Sequence, residues 1–167
     1  MLKSFIPVSS ESHFPIQNLP YGIFSTPSDR QPRVGVAIAD YVLDLAMLEK
    51  TGHLKTTNIF NQPSLNNFMA LGRSTWSETR VILQHLLSAE TPTLRDDLDL
   101  RRRALHPMAE VIMHLPANIG DYTDFYSSKD HATNIGSMLR SKENPLLPNW
   151  VHLPIAYHGR ASSIVIS

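Results

Sequence analysis

No cysteine occurs among the 167 residues, which excludes disulfide bonds, thiolate metal sites and a cysteine nucleophile. Charged residues make up only 18% of the chain and its formal net charge is zero, so bulk electrostatics do not favour nucleic acid or an anionic membrane as a partner. No apolar run approaches membrane-spanning length, and the opening residues are too interrupted for a signal sequence. With 42% hydrophobic residues the chain can bury a core. We therefore expect a soluble cytoplasmic protein.

Strand signals come first along the chain. Prolines break up the first thirty-three residues, and Tyr21–Phe24 can form only a short strand between them. Apolar alternation over Val34–Ile38, a turn at Ala39–Asp40 and the apolar run Tyr41–Leu45 predict a β-hairpin.

Three helices are predicted next. Ser64–Leu71 lies between a proline and a glycine, and Thr75–Glu78 has capping-box spacing at the start of a helix that runs to about Ser88. A more polar helix is predicted over Leu94–Leu105. The middle helix should bury a stripe of side chains, formed by Trp76, Thr79, Ile82, Leu83 and Leu87. These elements predict a small α+β domain that ends near Pro116.

The residue composition changes after Pro116, where aromatic and polar residues are concentrated. A short helix is predicted over Ser128–Ile135, with Gly136 closing it. The chain stops on an apolar strand at Ser163–Ser167, which leads us to expect a truncated sequence.

The run Gly120–His131 holds the densest set of reactive side chains. Carboxylates can bind a hard cation, and an imidazole can move a proton near neutral pH. In an extended segment Tyr122, Asp124 and Tyr126 point to one side and Asp121 to the other. The alternative is a loop in which the aspartates cap turns.

Two further sets of candidates stand apart from this face. His131 at a helix start could act as a neutral proton acceptor, or it could be structural. Arg140, Tyr157 and Arg160 could hold a carboxylate substrate, although surface ion pairing explains the arginines equally well.

Long motifs in the chain resemble the fumarylacetoacetase family, and they run almost from end to end. The matching segments are Ser4–Val8, Phe14–Gly22, Asp121–Ser128, His131–Asn134, Asn149–Trp150, His152–Pro154 and Tyr157–Ser163.

The resemblance implies an SH3-like N-terminal domain over residues 1–116, followed by the start of a β-rich catalytic domain over 117–167. The fold class is thus mainly β with short helices (α+β). The family implies hydrolysis of a carbon–carbon bond of 4-fumarylacetoacetate to fumarate and acetoacetate in tyrosine and phenylalanine degradation. It also implies a homodimer of the longer protein.

The same resemblance assigns residue roles. Asp124 would be a ligand to Ca²⁺ or Mg²⁺, and His131 would be the base that activates water. Tyr126, Arg140 and Tyr157 would line the substrate site. The remaining metal carboxylates, an acidic partner of the histidine and a lysine would lie beyond residue 167, so this chain alone should be inactive.

Two alternatives stay open. The chain could be a naturally short, non-catalytic product that acts as an interaction module. It could also belong to a related hydrolase or decarboxylase of another β-dicarbonyl acid, although relatives of that kind often lack the N-terminal domain.

Overall fold

The computed structural model describes residues 2–159 of the chain. The chain divides into two compact units, Met1–Asn118 and Ile119–Ser167, called here the N-terminal unit and the C-terminal unit. Arg160 and the predicted strand over Ser163–Ser167 lie outside the described residues. Each helix within residues 2–159 is too short or too polar to cross a membrane.

An antiparallel sheet of five strands forms the frame of the N-terminal unit. Its spatial order is β4-β3-β2-β1-β5. The strands are β1 (Tyr21–Ser25), β2 (Arg33–Ile38), β3 (Tyr41–Asp44), β4 (Leu105–Pro107) and β5 (Ile112–His114). The mixed α+β class expected from the sequence is thereby confirmed.

The predicted β-hairpin is confirmed, because β2 pairs with β3 across the Ala39–Asp40 turn. Almost every residue of β2 is buried, which is why its sequence is apolar or small on both faces. Gly35 permits this packing, since a Cβ atom there would lie 2.8 Å from Phe24 Cδ1.

Helices cover this sheet and supply the rest of the core. They are α1 (Leu45–Lys50), α2 (Asn66–Ala70), α3 (Gly72–Leu87), α4 (Pro92–Arg95) and α5 (Leu98–Ala104), with a 3₁₀ turn at Met108–Glu110. Helix α1 was not predicted, because its residues continue the apolar run of β3. Asp44 ends that strand and caps the helix, with its Oδ1 accepting a hydrogen bond of 2.9 Å from the Met47 amide.

The predicted start of the long helix is wrong. Helix α3 begins at Gly72 instead of Thr75, and no side chain caps it. The chain passes from α2 through Leu71 into α3, and Gly72 makes this turn with a φ of 81°.

The predicted helix over Leu94–Leu105 is two helices. Asp97 interrupts it and caps α5, accepting a hydrogen bond of 2.8 Å from the Leu100 amide. Leu105 already belongs to strand β4.

The predicted core stripe of α3 is confirmed at Thr79, Leu83 and Leu87, which are buried. Ile82 is partly buried and packs against the core, whereas Trp76 is 40% exposed. Its indole Nε1 donates a hydrogen bond of 2.8 Å to the Phe68 carbonyl, which holds the ring at the edge of the core.

A buried ion pair joins β2 to β3. Arg33 Nε donates to Asp44 Oδ2 at 2.6 Å, and both side chains are less than a tenth exposed. Burial raises the pKa of Asp44, but the neighbouring His106 and Arg33 and the Met47 amide outweigh it, so this pKa lies below its ordinary value.

The described part of the C-terminal unit is smaller and looser. It contains β6 (Thr123–Phe125), α6 (Lys129–Leu139), a 3₁₀ turn at Pro148–Val151 and β7 (Ala156–His158). Helix α6 does not close at Gly136 as predicted. Gly136 instead lets the Pro145 carbonyl approach the helix, because a Cβ atom would overlap that oxygen.

Candidate functional site

Strands β6 and β7 place the candidate metal ligand beside one of the candidate substrate residues. They pair antiparallel, with Asp124 directly opposite Tyr157. Directly opposed residues project to the same face of a strand pair. Asp124 is half-buried, whereas Tyr157 is 48% exposed, so this face is open to solvent.

Tyr126 extends the same face by one more position. Its amide donates to the Ile155 carbonyl at 2.9 Å, which continues the pairing beyond β6. Burial alternates along Tyr122–Tyr126, with Tyr122, Asp124 and Tyr126 half-buried and the intervening residues exposed. This alternation follows from an extended backbone.

Three contacts fix the Tyr126 side chain. Its hydroxyl donates to the Ala132 carbonyl at 3.2 Å, and its ring meets the rings of His131 and Tyr157 edge to face, each at a centroid distance of 5.9 Å. Because the phenolic proton is already used, the hydroxyl oxygen can only accept a hydrogen bond from a ligand.

His131 lies in the first turn of α6. The Ser128 hydroxyl caps this helix by accepting a hydrogen bond of 3.3 Å from the His131 amide. The imidazole is exposed, and its described ring contact is with Tyr126. A proton acceptor in this position is accessible to water from the solvent side.

The structure thus brings four of the five predicted site residues into one neighbourhood, with Tyr126 at its centre. Asp124 supplies a carboxylate, Tyr126 and Tyr157 supply phenols and His131 supplies an imidazole. We call this neighbourhood the Tyr126 face. It can bind oxygen-rich polar groups and transfer a proton.

Arg140 lies at the other end of α6. It is the residue after the last helical turn, and its Nη1 donates to the Pro145 carbonyl at 3.3 Å. At about 1.5 Å of rise per residue, Arg140 is roughly 13 Å along the helix from His131. The described contacts therefore do not join Arg140 to the Tyr126 face.

Asp121 belongs to a different group of side chains. Its Oδ2 lies 3.9 Å from His158 Nε2, and His158 Nδ1 lies 3.3 Å from the Thr123 hydroxyl. Thr123 and His158 face each other across the two strands, one position away from Asp124 and Tyr157. The expectation that Asp121 points away from Asp124 agrees with this arrangement.

Trp150 is a residue of the site that the analysis of side-chain chemistry missed. Its indole Nε1 donates a hydrogen bond of 2.8 Å to the Tyr126 carbonyl. Trp150 thereby anchors the backbone that carries the central tyrosine. The only signal in the sequence was the motif Asn149–Trp150, because no residue type predicts a partner so far along the chain.

The described residues do not form a complete metal site. Nowhere in residues 2–159 do three acidic or histidine side chains come together to hold an ion. Calcium prefers about six or more oxygen ligands, so Asp124 could supply only part of such a centre.

Comparison with known proteins identifies the family to which this chain belongs. A family model described as Fumarylacetoacetase N-terminal matches residues 17–116. Fumarylacetoacetase of Homo sapiens is 59% identical over 168 residues, which cover 98% of this chain and 40% of the relative. Fumarylacetoacetase of Dictyostelium discoideum is 58% identical over 171 residues, which cover 100% of this chain and 40% of the relative. Fumarylacetoacetase of Arabidopsis thaliana is 55% identical over 172 residues, which cover 100% of this chain and 41% of the relative.

The chain thus spans about 40% of the length of the curated relatives it matches. The family match covers most of the N-terminal unit, and the relatives align through the C-terminal unit as well. The chain therefore belongs to the Fumarylacetoacetase N-terminal family.

Proposed function

We propose that this chain is the N-terminal part of a fumarylacetoacetase, which hydrolyses a carbon–carbon bond of 4-fumarylacetoacetate to fumarate and acetoacetate. The Tyr126 face carries the proposal, because it gathers a carboxylate, two phenols and an imidazole in a chain that aligns with fumarylacetoacetases over its full length. The proposal includes an SH3-like domain over residues 1–116 and the start of the catalytic domain over 117–167. It also includes a homodimer of the longer protein in the cytoplasm.

Within this proposal His131 is the general base. Its imidazole accepts a proton from water, and the water oxygen attacks a ketone carbon of the substrate. The carbon–carbon bond next to that carbon then breaks, and the carbon of the acetoacetate fragment takes up a proton. The edge-to-face contact of His131 with Tyr126, at a centroid distance of 5.9 Å, keeps the imidazole beside the substrate-binding phenol in this proposal.

Tyr126 and Tyr157 would bind the substrate, with the Tyr126 oxygen as an acceptor. Arg140 would reach a substrate carboxylate only through its long side chain or in a different arrangement of the Pro145 loop, since it now donates to the Pro145 carbonyl. Asp124 would supply one ligand to Ca²⁺ or Mg²⁺, which polarises carbonyl oxygens when bound. The remaining ligands would come from the part of the relatives that this chain does not span.

The decisive experiment replaces His131 in the longer protein. We expect His131→Gln to slow hydrolysis about 10²- to 10⁴-fold or more, because a general base is lost. Binding of Ca²⁺ or Mg²⁺, measured by titration calorimetry, should persist in this variant and weaken in Asp124→Asn.

His158→Gln is the matched control, since this histidine lies beside Thr123 and Asp121 instead of Tyr126. It should retain most of the activity. Equal loss in both histidine variants, or loss of metal binding in His131→Gln, would contradict the assigned role. Turnover by residues 1–167 alone would show that no further ligands are needed.

A further inference from the structure

The N-terminal unit contains a polar cleft far along the sequence from the Tyr126 face. It has a volume of about 750 Å³ and lies beside α1, and we call it the α1 cleft. Small-molecule sites commonly have volumes of about 300–1,000 Å³. The residues that matter here are Arg33, Lys50, Thr56, Arg103 and His106.

Two buried polar atoms in this cleft lack a hydrogen-bond partner. They are Thr56 Oγ1 and His106 Nε2. The nearest carboxylate oxygen to the imidazole, Asp44 Oδ2, lies 3.6 Å from Nε2, beyond hydrogen-bonding distance. Native proteins satisfy about 90% or more of such atoms with protein groups or ordered water. The Thr56 hydroxyl can therefore take a further partner, whereas His106 Nε2 faces the Asp44 carboxylate whose pKa it helps to lower.

The carboxylates at the cleft already have donors. Asp44 accepts from Arg33 Nε and the Met47 amide, and Glu49 accepts from the Ile59 and Phe60 amides. Asp29 Oδ1 accepts from the Gln31 amide at 3.1 Å, and its Oδ2 lies 3.5 Å from Arg33 Nη1. These acids therefore do not require a further donor from a ligand in the cleft.

The positive charges at the cleft are less fully matched. Lys50 forms no ion pair with any residue in the described range 2–159. Arg103 pairs with Asp99 through Nε at 2.9 Å, while its Nη1 has only the Met47 sulfur, at 3.7 Å. Lys50 and Arg103 thus have donor capacity left at the cleft that also contains the Thr56 hydroxyl.

We propose that the α1 cleft binds a small organic anion whose carboxylate or phosphate oxygens accept hydrogen bonds from Lys50, Arg103 and the Thr56 hydroxyl. A carboxylate and a phosphate offer the same acceptor chemistry to an ammonium, a guanidinium and a hydroxyl. The cleft is lined by residues 26–106, so this binding is independent of the proposed hydrolysis.

The test is a nuclear magnetic resonance titration of the 167-residue chain with sodium phosphate and, separately, sodium succinate at constant ionic strength. Saturable shifts of the Lys50, Thr56 and His106 signals with either anion support the site, and the difference between the two anions identifies the preferred group. Lys50→Gln should weaken this binding about tenfold, because a charge-assisted hydrogen bond is lost.

Lys142→Gln is the control, since it changes the net charge equally at an exposed lysine in the C-terminal unit. Thr56→Val should also weaken binding while leaving the stability of the free chain unchanged or higher, because it removes an unsatisfied buried hydroxyl. The proposal is overturned if neither anion gives saturable shifts at concentrations on the order of 10 mM. It is also overturned if Lys142→Gln weakens binding as much as Lys50→Gln.

Discussion

The two units of this chain differ in how they are held together. The N-terminal unit buries a continuous set of aliphatic and aromatic side chains between its sheet and its helices. In the described part of the C-terminal unit, Ala132 is the one hydrophobic residue that is buried. Hydrogen bonds and ring contacts around Tyr126 maintain its local structure instead.

The C-terminal unit also leaves large apolar side chains in solvent. Met138 is 71% exposed and Leu139 is 79% exposed, and both lie at the end of α6. Contiguous exposed apolar surface is typical of interaction sites, ligand-binding grooves and aggregation-prone regions. Under the proposed function, the remainder of the longer protein would cover them.

This difference shows that stability and candidate chemistry lie in different units. The residues that could act on a substrate are carried by short strands and one helix with little core of their own. Elements with few buried contacts open locally at low free-energy cost. Under the proposed function, the arrangement of the Tyr126 face would gain packing from the rest of the longer protein.

Truncating one leucine in each unit should give the largest difference in the loss of stability between the two units. Leu83 is fully buried in the core of the N-terminal unit. Leu83→Ala should lower the free energy of unfolding of that unit by about 2–5 kcal/mol. Leu139→Ala removes the same atoms from a solvent-exposed site, so it should change stability by only about 0.5 kcal/mol or less.

Residue-resolved amide hydrogen exchange measures the stability of each unit separately, and both leucine variants are compared in the same 167-residue chain. The amides of β1 to β3 report on Leu83, and those of α6 report on Leu139. A comparable loss from both substitutions would mean that Leu139 is packed in solution and that the contrast between the units is wrong.

Removing one carboxylate charge from each unit should give a smaller difference in the loss of stability between the two units. This difference depends on pH. Asp44 is buried with Arg33, whereas Asp121 is 79% exposed at its side chain. Asp44→Asn should destabilise the N-terminal unit by about 3 kcal/mol at neutral pH, because it leaves the Arg33 charge buried without its partner. The asparagine can still cap α1, so the loss reports the charge and not the cap.

The sign of the pH effect follows from the lowered pKa of Asp44. Its ordinary value is 3.8, and the native value is lower. The unfolded chain therefore binds a proton first as the pH falls, so the contribution of Asp44 is present above pH 3.8 and is lost as the pH falls through the native pKa. Urea denaturation across this range should show a steep decline for the unmodified chain and for Asp121→Asn, and a flatter one for Asp44→Asn.

The elements that the sequence predicted well are those whose signal is local. Alternation over Val34–Ile38 and the turn at Ala39–Asp40 suffice for a hairpin, because register follows from the turn. The Ser128 cap and the alternation along Tyr122–Tyr126 likewise depend on neighbouring residues only.

The features that the sequence did not predict are of two kinds. In some, alternative local structures compete at one residue, and in others the contacting residues lie far apart in the chain. Gly72 does follow the end of α2 as predicted, but α3 begins at the same glycine instead of at Thr75. Gly136 was predicted to close α6, but it allows close approach of the Pro145 carbonyl within the helix. The bond from Trp150 to the Tyr126 carbonyl and the polar lining of the α1 cleft join segments distant in sequence. Their partners are set by tertiary packing, which no local pattern encodes.

Helix caps provide the smallest and sharpest comparison between the units. Asp97 Oδ1 accepts from the Leu100 amide at 2.8 Å in the N-terminal unit, and the Ser128 hydroxyl accepts from the His131 amide at 3.3 Å in the C-terminal unit. Asp97→Ala should lower the free energy of unfolding by about 1 kcal/mol, since α5 contributes the buried Leu100 and Ala104 to the core. Ser128→Ala should act locally, speeding exchange of the His131 amide about fivefold because a similar cap energy is lost from a helix end already near solvent. An unchanged His131 amide in that variant would mean that Ser128 does not cap α6 in solution, and the position of His131 on the Tyr126 face would then require another support.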